Sequence, residues 1–293
     1  MKNIVRLIRP KQWVKNFLLF AGLIFSDHFT EPDRIGKAGL AFLVYCLFAS
    51  TIYIINDLHD VESDKLHPRK KHRPLAAGQV TRSQAIALAG IFGVVGLVLT
   101  VVLFGWRFQA ITLSYFVLMF LYTFWLKHQV ILDLMVISAG FVIRSVAGIY
   151  AIEYEGEVIT ITPWFITCIM FLSLFVVICK RRHEITLLSD GAVSHRPVLE
   201  HYSTLFLDQM INVATTATVI SYALYVTLGV QDRSGGNYMV LTLPYVLYGV
   251  FRYLYLVYQK DEGGAPESLL FHDKVLLITV VLWLLTVILI MYV

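Results

Sequence analysis

Four polar side chains at helical spacing are the residues of this chain best suited to chemistry. They are Asn56, Asp57, Asp60 and Asp64. If the preceding helix continues, all four point to one side of it, and the outer two carboxylates stand on the order of 10 Å apart along its axis. Carboxylates this close repel each other unless a cation neutralises them, and oxygen ligands suit Mg²⁺, which commonly also binds phosphate oxygens. The four residues therefore predict the metal ligands of a site for Mg²⁺ and a diphosphate, with Asp57 and Asp60 as catalytic residues.

Five basic residues that follow the acidic stretch would supply positive charge to the phosphate groups. They are Lys65, Arg69, Lys70, Lys71 and Arg73. Among them we predict Arg69 and Arg73 as substrate-binding residues, and guanidinium groups match the geometry of phosphate oxygens. A solvated, charged loop between two membrane helices would have a similar composition. We favour a site because acidic residues at the end of an apolar helix cost desolvation free energy that a solvated loop does not.

A second polar stretch runs from about position 180 to about position 202 and is mainly basic. Lys180 and Glu184 share a helix face, and Arg181 lies three residues before Glu184. We expect Lys180 and Glu184 to be catalytic. We expect four residues of this stretch, including Lys180 again, to bind substrate: Lys180, Arg181, Arg196 and Tyr202. A stop-transfer anchor would show the same basic run. The run therefore supports a binding site only in combination with the acidic stretch on the same side of the membrane.

The composition identifies an integral membrane protein and excludes a soluble globular domain. Of the 293 residues, 58% are hydrophobic and only 15% are charged, a balance far from that of soluble proteins. The formal net charge is only +4. The three cysteines lie within apolar stretches, so we expect reduced thiols and no disulfide framework.

Apolar segments long enough to cross a bilayer predict an all-α protein with nine spans in a single domain, residues 1–293. A spanning helix needs roughly 17 to 25 mostly apolar residues. The segments are 13–29, 38–57, 84–104, 108–126, 131–151, 163–180, 208–229, 238–258 and 273–292. The first is the weakest, because Lys15 falls within its first turn.

The distribution of lysine and arginine predicts the orientation in a bacterial plasma membrane. Most of these residues fall on the cytoplasmic side if the N-terminus is inside. The polar stretches after the second and sixth spans then both face the cytoplasm, where we expect them to meet as two walls of one polar pocket. Two charges, Asp133 and Arg144, fall inside the fifth span. Each requires a partner on another helix or a wet cavity, since they stand on the order of 16 Å apart.

The acidic stretch resembles the signature of the UbiA superfamily of intramembrane prenyltransferases. Residues 56–64 fit the pattern N-D-x-x-D-x-x-x-D, and residues 73–78 continue with R-P-L-A-A-G. The resemblance covers the whole chain. It implies a bundle of nine transmembrane helices around a central cavity that opens to the lipid, with a Mg²⁺-dependent transferase activity.

One departure from the family pattern changes the substrate that the resemblance implies. Most members carry a second Asp-rich motif after helix six, whereas this chain has the basic run that begins at Lys180. Together with R-P-K-Q-W-V-K-N at residues 9–16 and S-H-R-P at residues 194–197, this run is similar to a branch of the family. That branch transfers 5-phosphoribosyl from phosphoribosyl diphosphate (PRPP) to a polyprenyl phosphate and releases diphosphate. Lys11 and Lys15, four residues apart and therefore predicted to share one helix face, would then anchor the acceptor phosphate at the membrane surface, although an interfacial anchor has the same pattern. The branch suggests that the product serves as a lipid-linked arabinose precursor for the cell wall.

Two other functions compete with this interpretation. A related enzyme would transfer a prenyl group from prenyl diphosphate to an aromatic acceptor, and the missing second Asp motif argues against it. A channel or transporter with an acidic vestibule would bury charge near the midplane and show internal repeats, which the sequence lacks. We expect no nucleic-acid partner, and the sequence leaves homo-oligomer formation open.

Overall fold

The computed structural model describes residues 2–26, 28–66, 70–160, 162–187, 197–230 and 236–292. Every regular element within these ranges is helical, which confirms the all-α prediction for the part of the chain described. The chain divides into two compact units. Unit 1 comprises Met1–Val136, Ile143–Ile159 and Gly191–Glu200, and unit 2 comprises Ile137–Val142, Thr160–Asp190 and His201–Val293. A single domain over the whole chain stays a prediction.

Twelve α-helices occur in the described residues, and shorter helical turns connect several of them. The helices before the middle of the chain are α1 (Lys2–Ile8), α2 (Leu19–Ile24), α3 (Pro32–His59), α4 (Val61–Leu66), α5 (Arg82–Leu103), α6 (Trp106–Phe124) and α7 (Leu132–Ile152). The later helices are α8 (Pro163–Leu187), α9 (Thr204–Leu224), α10 (Leu243–Gln259), α11 (Pro266–His272) and α12 (Lys274–Tyr292). The 3₁₀ segments are Pro10–Leu18, Lys70–His72, Leu126–His128, Pro197–His201 and Gly236–Thr242, and Tyr225–Gly229 is a π-helix.

Eight helical segments in the described part of the chain are long and apolar enough to cross a membrane. They correspond to the predicted spans from the second to the ninth, so the count of nine is not confirmed. The predicted first span, 13–29, instead contains most of the 3₁₀ segment Pro10–Leu18 and the six-residue helix α2. A 3₁₀ helix has 3.0 residues per turn, so Lys11 and Lys15 lie about 120° apart around its axis. The predicted shared face of these two lysines is therefore wrong.

Unit 1 is held together by aromatic and small residues that pack around α3. Tyr45 and Phe48 of α3 contact Phe108 and Tyr115 of α6 in one buried cluster. Close helix approach depends on Gly148 of α7, because a Cβ atom there would overlap the backbone carbonyl of Leu19. The short helix α2 therefore lies directly against α7.

A buried polar network fixes the 3₁₀ segment Pro10–Leu18 inside unit 1. Arg144 of α7 donates to Asn16 Oδ1 at 2.9 Å and to the Tyr115 hydroxyl at 2.6 Å. Trp13 Nε1 donates to Ser50 Oγ of α3 at 3.1 Å. Arg144 thus finds partners on other elements of its unit, as expected for a charge inside a span, and it acts as a structural clamp.

The start of α5 and the polar segment before it are fixed by local sequence. Thr81 Oγ1 accepts from the Gln84 amide and Gln84 Oε1 accepts from the Thr81 amide, which forms a capping box. This defined start of α5 ends the polar segment that contains Arg73.

Candidate active site

The acidic stretch lies across a helix break. Helix α3 ends at His59, Asp60 adopts φ −93° and ψ 8°, and α4 begins at Val61. Backbone hydrogen bonds still cross the break, since the Asp60 amide donates to Asn56 O at 2.9 Å and the Asp64 amide donates to Asp60 O at 2.8 Å. The helix therefore does not continue unbroken through the acidic stretch, because Asp60 leaves the α region. The break separates the carboxylates into a buried pair and a third group.

The buried pair consists of Asp57 and Asp64, which are 1% and 2% exposed. Arg73 joins them through one nitrogen, with Nη1 at 3.1 Å from Asp57 Oδ1 and 2.6 Å from Asp64 Oδ2. Arg9 also donates to Asp57 Oδ1, and its guanidinium lies 5.1 Å from the Tyr53 ring centroid. Two carboxylates and two guanidinium groups therefore form one charge cluster at the end of α3.

The third carboxylate, Asp60, has its own set of partners. Its Oδ1 accepts from Lys127 Nζ at 2.6 Å and lies 2.9 Å from His59 Nδ1. Its Oδ2 accepts from Asn56 Nδ2 at 3.1 Å. Asn56 and Asp60 are thus in contact, as their spacing of four residues predicts.

The environments of the carboxylates shift their pKa values in opposite directions. Burial raises the pKa of Asp64, and the charge and hydrogen bond of Arg73 only partly oppose it. Burial also acts on Asp60, but hydrogen bonds and charge from Lys127 and His59 outweigh it and lower the pKa. Asp64 therefore takes up a proton more readily than Asp60, and divergent carboxylates of this kind are typical of functional sites.

The acidic residues fit a divalent metal, although they do not form a complete metal site by themselves. In the described part of the chain, no group of three or more His, Cys, Asp or Glu residues is placed to hold a metal ion. Asp57 Oδ2, however, is buried without a hydrogen-bond partner. An orphaned carboxylate oxygen beside a second carboxylate is the hard donor that Mg²⁺ prefers, and substrate oxygens and water commonly complete its coordination. The predicted ligands therefore suit Mg²⁺ only together with further oxygen donors.

The basic stretch begins within a helix that continues beyond position 180, the predicted end of the sixth span. Helix α8 continues to Leu187, so Lys180, Arg181 and Glu184 lie on its last turns. Arg181 is 3% exposed, and its Nη1 donates to Glu184 Oε2. The predicted proximity of Arg181 and Glu184 is confirmed. Glu184 neutralises a buried guanidinium instead of facing solvent alone.

Residues that sequence reasoning missed surround the end of α8 within unit 2. Arg182 Nε donates to Asp208 Oδ1 at 2.6 Å, and the Tyr258 hydroxyl donates to the same oxygen at 2.7 Å. His183 Nδ1 lies 3.3 Å from Asp261 Oδ1. A Cβ atom at Gly264 would lie 2.6 Å from His183 Nε2, so any residue other than glycine at this position in the turn before α11 would require the His183 ring to move. These contacts position the basic helix end.

The remaining predicted residues lie in several places. Lys11 is exposed, Lys15 Nζ donates to Gln12 Oε1 at 2.6 Å, and Tyr202 is buried, with its ring stacked on Phe206 at 6.1 Å. Arg69 and Arg196 lie outside the described residues.

Two cations of the acidic site, Arg9 and Lys127, were not predicted as site residues. The Arg-Pro dipeptide at positions 9 and 10 was one available signal, because the residue before proline is disfavoured in the right-handed helical region. Lys127 was visible only as an isolated cation in the loop between the predicted fourth and fifth spans.

Taken together, the eight membrane-length helices and the acidic cluster define a helical integral membrane protein with a site suited to a metal-bound anion. The chain belongs to the UbiA prenyltransferase family, which matches residues 17–275.

Named relatives and solved structures agree with this assignment. The chain is 34% identical to a decaprenyl-phosphate phosphoribosyltransferase of Mycolicibacterium smegmatis, with 98% of this chain and 92% of that protein covered. It is 32% identical to the protein of the same name from Corynebacterium glutamicum, with 99% and 87% covered. A UbiA homolog from Archaeoglobus fulgidus, solved with GPP and Mg²⁺, is similar with a TM-score of 0.73 at 17% identity, over 99% of this chain and 100% of that one. This last comparison establishes the shared fold.

Proposed function

We propose that this protein transfers the 5-phosphoribosyl group from PRPP to a polyprenyl phosphate and releases diphosphate. The observation that carries the proposal is the cluster of Asp57 and Asp64 around Arg73, in a chain 32–34% identical over nearly its full length to decaprenyl-phosphate phosphoribosyltransferases. The fold places this cluster at the end of a membrane helix, where a lipid phosphate and a soluble sugar phosphate can both arrive.

The acidic residues would hold Mg²⁺ against the diphosphate of the donor. Asp57, Asp60 and Asp64 are the proposed ligands, with Asn56 as a neutral fourth. When bound, the metal ion neutralises negative charge on the leaving diphosphate. The orphaned Asp57 Oδ2 is the ligand atom that requires the least rearrangement, since it gives up no hydrogen bond.

The chemical step breaks the bond between ribose C1 and the diphosphate oxygen and forms a bond from C1 to an oxygen of the lipid phosphate. The acceptor is already an anion, so no side chain has to remove a proton from it. Attack from the opposite face inverts C1, through a state with positive charge on the sugar. Positioning and electrostatic stabilisation should therefore supply most of the rate.

The basic residues are proposed to bind the three phosphate groups of the two substrates. Arg73 and Arg69 follow the acidic stretch and are assigned to the donor diphosphate. Lys11 and Lys15 are assigned to the acceptor phosphate. The residues assigned to the other phosphate and the ribose are Lys180, Arg181, Glu184, Arg196 and Tyr202. The active site faces the cytoplasm in this proposal, with the N-terminus inside, because PRPP is soluble and the basic segments lie on that side.

Prenyl transfer to an aromatic acceptor is the second candidate, because a solved structure of the same fold contains GPP. Residues 180–184 of this chain, K-R-R-H-E, lack the second acidic pair expected for a Mg²⁺-bound prenyl diphosphate. The two functions differ in the group that becomes attached to the acceptor, so one assay separates them.

The test uses purified protein in detergent with Mg²⁺, PRPP labelled in the ribose and a polyprenyl phosphate. A chloroform-soluble ribosyl lipid that disappears with EDTA supports the proposal. A parallel reaction contains labelled geranyl diphosphate and an aromatic acid in place of these substrates. Product only in the parallel reaction would replace the proposal with prenyl transfer.

A further inference from the structure

Lys127 is a mostly buried cation that lies on the acidic site. It belongs to the 3₁₀ turn Leu126–His128 between α6 and α7. Its side chain is 11% exposed, and its ammonium donates to Asp60 Oδ1 at 2.6 Å. Asp60 is 67 residues away in sequence. A lysine that only anchors a loop at the membrane surface extends its ammonium into water, whereas this ammonium lies on a carboxylate.

The turn that carries Lys127 continues into a strained backbone. Ile131 adopts φ 69° and ψ −45°, and the Leu132 amide donates to Val130 O at 2.8 Å across it. A β-branched residue is an outlier in this region, and such turns are rare. Strained backbone persists where surrounding contacts fix it, and it is concentrated at functional sites. The loop that carries Lys127 is therefore held in a demanding conformation four residues after this lysine.

We propose that Lys127 is a diphosphate-binding residue, which neutralises Asp60 in the free protein and transfers its hydrogen bond to a diphosphate oxygen when a divalent ion takes Asp60. The inference rests on the proposed function for the identity of the donor, but its binding steps require only a divalent ion and a diphosphate. A divalent ion and an ammonium compete for the same oxygen, since both need its negative charge. The flexible stem and three donors of lysine allow the change of partner.

The proposal predicts that loss of the Lys127 charge changes two affinities in opposite directions. If Lys127 had only a structural role, its loss would change both affinities in the same direction. Removal of the Lys127 charge removes a competitor for Asp60, so the free protein should bind a divalent ion more tightly. The same change removes a hydrogen-bond donor from the bound diphosphate, so the metal–diphosphate complex should bind more weakly. A loop that simply loses its anchor would weaken both.

The experiment measures binding of Mn²⁺ alone by electron paramagnetic resonance, and of Mn²⁺-pyrophosphate by calorimetry, to the full-length protein in detergent. For Lys127→Gln we expect Mn²⁺ affinity to rise about three- to tenfold and Mn²⁺-pyrophosphate affinity to fall about tenfold or more. Lys127→Arg, which keeps the charge, should restore weak Mn²⁺ binding. Lys274→Gln is the matched control, because it removes the same charge at an exposed position, the start of α12, that has no role in the proposed site. It should change neither affinity more than about twofold.

A double variant keeps the test valid if Lys127→Gln folds poorly. In an Asp60→Asn background the competing oxygen has lost its charge, so Lys127→Gln should no longer raise Mn²⁺ affinity. Unchanged or weaker Mn²⁺ binding in the single variant overturns the proposal, and so does unchanged binding of Mn²⁺-pyrophosphate. Failure of the transferase assay with wild-type protein would refute the proposed function, while both binding measurements would still decide the role of Lys127.

Discussion

Substitution of Asp57 by Asn isolates the charge of the acidic site while it preserves side-chain shape. Asp57 is 1% exposed, and Oδ1 accepts hydrogen bonds from Arg9 and Arg73. A hydrogen bond to a charged group is worth about 1.5–3 kcal/mol and a neutral one about 0.5–1.5 kcal/mol, so two weakened bonds cost about 2–3 kcal/mol of folding free energy. We expect a less stable but folded protein. Product formation should fall at least about 100-fold, because the carboxylate that we propose as a metal ligand has lost its charge.

The assay is formation of ribosyl lipid from labelled PRPP, normalised to the folded fraction from thermal melts in detergent. Asp273→Asn is the matched control, because Asp273 accepts two hydrogen bonds from Arg252, at 3.2 and 2.7 Å, outside the proposed site. Partial exposure of that pair makes its stability loss somewhat smaller. Turnover of Asp57→Asn within about threefold of Asp273→Asn would refute the metal assignment, since a difference that small is less than about 1 kcal/mol.

Two further predictions concern stability. Gly148→Ala should lower the free energy of unfolding by about 2 kcal/mol or more, because the new methyl group overlaps the Leu19 carbonyl. The control Gly36→Ala has open space at its Cβ, so it should be neutral or stabilising in thermal melts. For pH dependence, the raised pKa of Asp64 means that its protonation favours the folded state, and the lowered pKa of Asp60 means that Asp60 stabilises only while ionised. Between neutral pH and about pH 4, melts of Asp64→Asn should therefore lack an acid-side gain seen in wild type. Below about pH 4, where an ordinary aspartate takes up its proton, melts of Asp60→Asn should lack an acid-side loss seen in wild type.

Hydropathy and spacing predicted the parts of this protein that depend on local sequence. Eight of the predicted spans correspond to helices, since a long apolar run has few alternatives in a bilayer. The contact between Asn56 and Asp60 and the pair of Arg181 and Glu184 follow directly from helical spacing. The 3₁₀ segment Pro10–Leu18 was not predicted, because its conformation depends on tertiary contacts such as the hydrogen bond from Arg144 to Asn16.

The cations of the acidic site illustrate why contacts between residues distant in sequence cannot be predicted from a single sequence. Arg9 has a left-handed backbone, with φ 54°, and Ile131 has φ 69°, although neither residue type favours this region. Both conformations are imposed by packing and not by the residue itself. Lys127 reaches Asp60 from the turn between α6 and α7, 67 residues away in sequence, so no local pattern marks it as a site residue.

The charges of the acidic site also explain why three carboxylates can lie at the end of a membrane helix in the protein without ligands. Asp57 and Asp64 share Arg73, Asp57 also binds Arg9, and Asp60 binds Lys127. Each carboxylate thus has a cation from a segment outside the acidic stretch, which offsets the cost of burying it. A divalent ion that arrived alone would displace these cations and leave them without acceptors. An ion that arrives with a diphosphate would bring new acceptors for the same cations, so we expect the proposed site to bind the complex more tightly than either component alone.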